Sequence, residues 1–386
     1  MLVCRRNFLR TIGVGTAAEA AGQMPFGRVS MAGLFEPSRP RESGGPILLN
    51  SNENVYGPST KVVVVMRSAM AMANRYPFME YYDLTKRIAS FHGVKPEQVL
   101  LGCGSTEIIR AAAMAFLSNG EYLLQPSPTF EAVEHYAQSA GAKVVSVPLN
   151  REFAHDLDGM LERVGSVGSW ITMVYICNPN NPTASITPRK DLESFISKLP
   201  STTHVLIDEA YHHYAGQSAM YASFIDHPVN DERVIVTRTF SAVYGLAGLR
   251  LGYAIASPAI VARMQPYVIS DSVNSIVVQA AMAALDDTDS VREFVKRNTD
   301  DRQEFFNQAI ARMIKPIDSH ANFVMMNTHT PAGEVIEHFR RDYILIGRRF
   351  PAMDTHIRVS LGTPKEMRAF WRTWDKLAVP KEHMAP

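Results

Sequence analysis

Thr237-Arg238-Thr239-Phe240-Ser241-Ala242-Val243-Tyr244-Gly245-Leu246-Ala247-Gly248-Leu249-Arg250 follows a β-branched run, Val234 to Thr237, and leads into a second apolar run, Gly252 to Ala256. Two short apolar runs bounded by glycine and polar residues read as strands with a functional connection between them. Within that connection Ser241 supplies a hydroxyl, and Arg250 supplies a guanidinium in the apolar, glycine-flanked setting Gly248-Leu249-Arg250-Leu251-Gly252-Tyr253. Such a setting disfavours an idle surface charge. A hydroxyl with a guanidinium that can engage two oxygens at once suits a phosphate monoester.

Working outward, strand candidates recur at Gln98 to Leu101, Tyr122 to Gln125, Lys143 to Val147, Ile171 to Ile176 and His204 to Ile207. Segments with helical spacing lie between them, among them Thr106 to Leu117, Phe130 to Ser139 and Pro188 to Lys198. This alternation predicts a mostly parallel sheet covered by helices on both faces. After about Ser270 the texture changes to long helices, Ser275 to Ala284 and Ser290 to Met313. Strand candidates then follow at Asn322 to Met326, Ile344 to Gly347 and Ile357 to Leu361, with a closing helix near Glu366 to Leu377. The expected organisation is an outlying segment 1–45, an N-terminal segment 46–75 packed on the small domain, a large α/β domain 76–270 and a small α+β domain 271–386.

With 386 residues, 46% of them hydrophobic, the chain is long enough for one large and one smaller domain. Lys+Arg 39 against Asp+Glu 38 leaves a formal net charge of +1. No global basic field points to nucleic acid, so any anion site must be local. The three cysteines, Cys4, Cys103 and Cys177, are too few and scattered for a disulfide framework or a metal cage, and no metal is expected. Cys103 and Cys177 adjoin apolar runs and read as small buried hydrophobes. At the N-terminus, Cys4-Arg5-Arg6-Asn7-Phe8-Leu9-Arg10 followed by Thr11 to Ala18 looks like a twin-arginine export signal; the alternative is a basic arm. Its apolar part is too short for a membrane anchor. The expected location is the periplasm if that signal operates, and otherwise the cytoplasm.

Further motifs sit where open α/β sheets bind ligands, beyond the strand C-termini. Gly102-Cys103-Gly104-Ser105-Thr106-Glu107 joins a strand to a helix, and small residues there leave backbone N–H groups free for a phosphate. Pro126-Ser127-Pro128-Thr129-Phe130 and Asn178-Pro179-Asn180-Asn181-Pro182-Thr183 are rigid turns after strand candidates. Val205-Leu206-Ile207-Asp208-Glu209-Ala210-Tyr211 places an Asp at the end of a buried apolar strand, which is costly unless it meets a positive partner.

In order and spacing, these segments resemble the histidinol-phosphate aminotransferase branch of the fold-type I pyridoxal-phosphate (PLP) enzymes, and the likeness extends over nearly everything after Pro46. The resemblance implies a large domain with a mostly parallel seven-stranded sheet flanked by helices, plus a smaller α+β domain, working as a homodimer on PLP. It assigns the cofactor phosphate to Gly104, Ser105, Thr106, Ser241 and Arg250, and the ring stack to Phe130. Asp208 is assigned to the pyridine nitrogen, which it would keep protonated, and Asn181 and Tyr211 to the ring oxygen. Tyr76, in Asn74-Arg75-Tyr76-Pro77, would reach the neighbouring subunit's phosphate. The substrate is assigned to Tyr56 and Asn181, with Arg358 on the α-carboxylate and Arg348 as a second substrate arginine. Four departures stand out: Thr106 where the family is more often acidic, Phe130 for Tyr, Ala184 for Gly and Val55 for Pro. Ala184 implies a slightly different local backbone.

The largest departure is Ala242, which stands where the family carries its Schiff-base lysine. A lysine there holds the cofactor and shuttles the proton between the substrate Cα and the cofactor, and a methyl group can do neither. Three readings follow. The chain is an aminotransferase, moving an amino group from an amino acid such as glutamate to a keto or aldehyde acceptor, impaired or trapped at the external aldimine. Or another base acts, His212 or His213, in transamination, decarboxylation or other amino-acid chemistry. Or the chain is a non-catalytic binder of PLP or amino acids on this scaffold. Its partner would be an amino-acid or amino-phosphate substrate, with no nucleic acid and no membrane anchor.

Overall fold

The computed structural model describes residues 45–226 and 231–377. The twin-arginine-like segment and Cys4 lie outside the described residues. The strands are β1 (Ile47–Leu49), β2 (Val99–Gly102), β3 (Tyr122–Ser127), β4 (Lys143–Pro148), β5 (Ile171–Cys177) and β6 (His204–Asp208), then β7 (Val234–Thr239), β8 (Gly252–Ile255), β9 (Phe323–Asn327), β10 (Ile344–Ile346) and β11 (His356–Ser360). The helices are α1 (Thr60–Ala69), α2 (Phe78–His92), α3 (Ser105–Phe116), α4 (Ala132–Ser139), α5 (Leu157–Val167) and α6 (Arg189–Ser197). After them come α7 (His212–Ala215), α8 (Pro258–Met264), α9 (Ser275–Leu285), α10 (Thr288–Ile310), α11 (Ala332–Arg341) and α12 (Pro364–Trp374).

Seven strands form one sheet in the order β2-β8-β7-β6-β5-β3-β4, parallel except for β8, which runs antiparallel to both β2 and β7. The central strands are apolar on both faces because helices cover both. Alternate residues divide cleanly between two cores. Val174, Ile176, Val205 and Ile207 face the α2, α5, α6 and α9 side, whereas Met173, Tyr175, Cys177 and Leu206 face α3, α4 and α8. Asp208, next in this alternation, falls on the Tyr175 side.

A separate core holds Leu49 with Val324, Phe339, Ile357, Phe370 and Trp371. There β1 pairs in parallel with β10, and β9 pairs antiparallel with β11. Thr363 caps α12 reciprocally with Glu366, an arrangement worth about 1 kcal/mol.

The expected domain limits shift in two places. Segment 46–75 divides, since β1 joins the small core while Val62 of α1 lies in the large one beside Val277 and Val278 of α9. The junction expected at 270 falls instead within α10, whose Val291, Phe294 and Val295 pack on the large core and whose Phe305 and Ala309 belong to the small one. The reason is α9, which is apolar nearly all round and stays buried only between the sheet and the N-terminal helices. Cys103 is half-buried, its backbone N–H bonded to Glu107 Oε2 at 2.6 Å, because it belongs to the loop entering α3 and not to the core.

Candidate active site

The C-terminal ends of the parallel strands gather most of the residues singled out in the sequence. Asp208 ends β6, in register with Cys177 of β5 and Thr237 of β7. Its carboxylate is 2% exposed. Oδ2 accepts from the Tyr175 hydroxyl at 2.9 Å and Oδ1 from the Ala210 backbone N–H at 3.1 Å. Both donors are neutral, and burial pushes the carboxyl up to about 6 against these hydrogen bonds.

At the adjoining end of the sheet, Gly104 precedes α3 with φ +81°, a conformation that glycine adopts freely. Any Cβ there would collide with the Arg250 guanidinium, so glycine lets that charge lie against the start of the helix. Ser105 and Thr106 open the helix, half-buried. Arg250 Nη1 reaches Ser241 Oγ at 3.4 Å, and Thr239 Oγ1 receives the Ser241 N–H at 3.0 Å. A helix N-terminus, a guanidinium and a hydroxyl therefore converge, as a phosphate ester requires. Ala242 follows, buried within the large core.

On the small-domain side, Arg358 of β11 is 9% exposed. Its Nη1 donates to Asn181 Oδ1 at 2.7 Å and its Nη2 to the Asn50 carbonyl at 2.8 Å, while Nε has no partner among the described residues. Burial lowers this guanidinium to about 10, an uncommon state for an arginine and one that a carboxylate ligand would relieve. Because Asn181 Oδ1 accepts from Arg358, its amide NH2 remains a donor. Tyr211 OH accepts from Asn52 Nδ2 at 3.0 Å, keeping its own proton to give, and burial raises its pKa to about 12. The Pro126–Phe130 and Asn178–Thr183 turns are tied together by Asn180, which accepts from Thr129 Oγ1 at 2.9 Å and donates to the Pro128 carbonyl. Half-buried Phe130 packs on the α3–α4 core.

Residues 45–373 match the family model of the class I and II aminotransferases. The chain belongs to that family. It is 36% identical over 324 residues to histidinol-phosphate aminotransferase 2 of Carboxydothermus hydrogenoformans, covering 83% of this chain and 88% of the relative. It is 34% identical over 328 residues to the histidinol-phosphate aminotransferase of Symbiobacterium thermophilum, covering 84% and 88%. The crystal structure of the Sinorhizobium meliloti histidinol-phosphate aminotransferase in complex with pyridoxal-5'-phosphate superimposes with a TM-score of 0.79 at 26% identity, covering 87% of this chain and 90% of that one. In this family member the buried carboxylate, the helix-end cradle and the donors at Asn181 and Tyr211 fit a protonated pyridine bearing a phosphate and a ring oxygen.

Two assigned residues, Tyr56 and Tyr76, stand apart from that cluster, and a third, Arg348, lies at its edge beside Arg358 but is already paired. Tyr56 donates its hydroxyl to Asp301 of α10 at 2.7 Å, and burial raises its pKa. Tyr76 is 70% exposed and stacks on Phe78. Arg348 pairs with Glu131 at 2.5 Å. Ala184 takes a left-handed backbone, φ 59°, so the departure from Gly leaves a glycine-like path and costs about 1 kcal/mol of strain. His212 and His213 are half-buried with their rings tilted at 45°, centroids 3.7 Å apart, and removal from solvent holds His213 down to about 3. An imidazole so reluctant to take a proton is a poor general base.

Sequence reasoning passed over Tyr175, Asn52, Asn180 and Glu131. Tyr175 reads as one more apolar strand residue, and only the register beside β6 turns its hydroxyl toward Asp208. Asn52 has φ 56° and bonds both Tyr211 and Ser360, a role its place in Asn52-Glu53-Asn54 could have suggested. Among the described residues, no helix is long and apolar enough to cross a membrane, and no cluster of His, Cys, Asp and Glu could hold a metal ion.

Proposed function

We propose that this chain is an aminotransferase of the histidinol-phosphate aminotransferase type that binds PLP and an amino acid, and that Ala242, at the lysine position, stops or severely slows the transfer. One observation carries the reading. Two opposite charges, Asp208 and Arg358, are buried and hydrogen-bonded only to neutral groups among the described residues. Burying such charges unpaired costs several kcal/mol, so each implies a ligand of opposite sign. A protonated pyridine answers Asp208 and an α-carboxylate answers Arg358.

When bound, PLP supplies an electron sink for the bonds at the substrate Cα. This chain's residues hold the ring nitrogen's proton at Asp208, donate to the ring oxygen from Asn181 and Tyr211, seat the phosphate at Gly104, Ser105, Thr106, Ser241 and Arg250, and orient the carboxylate at Arg358. Proton movement at Cα lacks its usual base, a loss of about two to four orders of magnitude in rate. Proton-poor His212 and His213 argue against a substitute.

The active unit is a homodimer. Met70, Met72 and Tyr76 between α1 and α2, with Phe78, Met79 and Tyr82 of α2, are exposed apolar side chains that a second copy would cover. The protein is exported through its twin-arginine segment, which a periplasmic reporter fusion with Arg5 and Arg6 replaced by Lys would check.

The decisive experiment compares the visible absorbance of the chain with PLP and a panel of amino acids, before and after Ala242→Lys. The expected result is a cofactor removable by dialysis in the present chain, a dialysis-resistant visible band in the variant, and transamination by the variant alone. Activity in the present chain would favour another base. A variant with the band but no turnover of any donor would favour the binder.

A further inference from the structure

We propose that Glu131 is a specificity-determining residue that sets the site for α-amino acids with an uncharged side chain and against those carrying a phosphate or second carboxylate. The inference rests on the reading above, in which Arg358 takes the α-carboxylate.

Arg348 and Arg358 lie on the same side of the site yet are held in opposite ways. Arg358 is buried, meets only neutral acceptors and keeps Nε unpartnered among the described residues. It awaits an anion. Arg348 is already engaged. Its Nη2 pairs with Glu131 Oε2 at 2.5 Å, its Nη1 donates to the Arg349 carbonyl at 3.1 Å, and its guanidinium lies 4.3 Å from the centre of the Phe350 ring. The centre of the same Phe350 ring lies 5.3 Å from the Arg358 guanidinium, so the two cations share one aromatic side chain.

Glu131 reaches this place from the large domain. It directly follows Phe130 and stands at the start of α4, so its carboxylate bridges the two halves of the chain at the site's edge. Burial is the main influence on Arg358, and Arg348 and Glu131 act on it electrostatically in opposite senses. Around the α-carboxylate seat the charges therefore sum to one positive, from Arg358, with Arg348 and Glu131 cancelling.

An amino acid with an uncharged side chain matches that balance with its one carboxylate. A phosphate or second carboxylate would have to take Arg348 from Glu131 or lie beside a like charge, and either raises its cost of binding. Since the pair is partly exposed and screened, the effect is modest and not absolute.

The test uses the full chain loaded with PLP, titrated with L-phenylalanine and O-phospho-L-serine and followed by cofactor absorbance, which reports binding without turnover. The unaltered chain is expected to bind L-phenylalanine more tightly. Glu131→Gln is expected to tighten O-phospho-L-serine roughly three- to tenfold while L-phenylalanine shifts less than about twofold, and Arg348→Ala in that background is expected to remove the gain. A Glu131→Gln protein that retains PLP but leaves the ratio of the two dissociation constants unchanged overturns the proposal, as does an unaltered chain that prefers O-phospho-L-serine. Failure of the unaltered chain to bind PLP even with the cofactor kept in excess is a different result, visible before any amino acid is added. It would overturn the aminotransferase reading and this one with it.

Discussion

Asp208 and Glu209 are neighbours in sequence, equally buried, and held in opposite ways. Glu209 Oε2 accepts from Arg238 Nη2 at 3.0 Å, from Arg238 Nε at 3.1 Å and from Ser223 Oγ at 2.7 Å, while its Oε1 accepts from the Phe224 N–H at 2.7 Å. Asp226 adds a second carboxylate to Arg238 at 3.4 Å, with His92 beside it. This charge is complete within the protein. Asp208, on the other side of the chain's turn, has a hydroxyl and one backbone N–H. A buried ion whose counter-charge is built in serves the fold, and one left with neutral partners is kept for a ligand.

Breaking the complete side gives the largest effect. Arg238→Met strands Glu209 in the interior and is expected to destabilise the protein by about 3–5 kcal/mol in urea unfolding. Asp208→Asn sharpens the contrast: without PLP, its stability at pH 8 is expected to equal or exceed that of the unaltered chain by about 1–2 kcal/mol, because an uncompensated buried carboxylate is gone. PLP affinity is expected to fall about ten- to hundredfold, read by fluorescence titration.

The pH dependence separates the two sides again. The Asp208 carboxyl binds its proton more readily folded, up to about 6, than unfolded at 3.8, so its contribution is present at low pH and lost as pH rises through about 6. His155, His204 and His213 behave in the opposite way. Burial holds them neutral in the fold, down to about 4, 4 and 3, so they favour unfolding as pH falls from about 6.5 toward those values. Thermal melts of apo protein are expected to show a loss of stability below pH 6.5, and Asp208→Asn a steeper loss between about pH 6 and 4, because the opposing proton uptake at Asp208 is gone. The smallest expected effect is that of Tyr175→Phe, about 1 kcal/mol less stability at pH 8 with Glu209 untouched, a difference that should vanish below pH 5 as Asp208 protonates.

Much of the fold could be read along the chain. Strand candidates such as Lys143 to Val147 and Ile171 to Ile176 fall within a residue of β4 and β5, because short β-branched runs between glycine and polar turns leave few alternatives. The domain junction was not legible, since an apolar helix such as α9 carries no mark of which core it joins. Of the candidate site, residues within one motif were visible, among them Asp208, Asn181, Ser241 and Arg250. Partners from distant segments were not: Tyr175 to Asp208, Asn52 to Tyr211, and Glu131 to Arg348.

By itself the sequence determined the alternating strands and helices, the family, and the alanine at position 242, because all three depend on residue type and order. Only the tertiary structure decided which charges are left without counter-ions. That property is a sum over neighbours separated by up to 308 positions, as in the Arg358–Asn50 contact, and no local pattern encodes it.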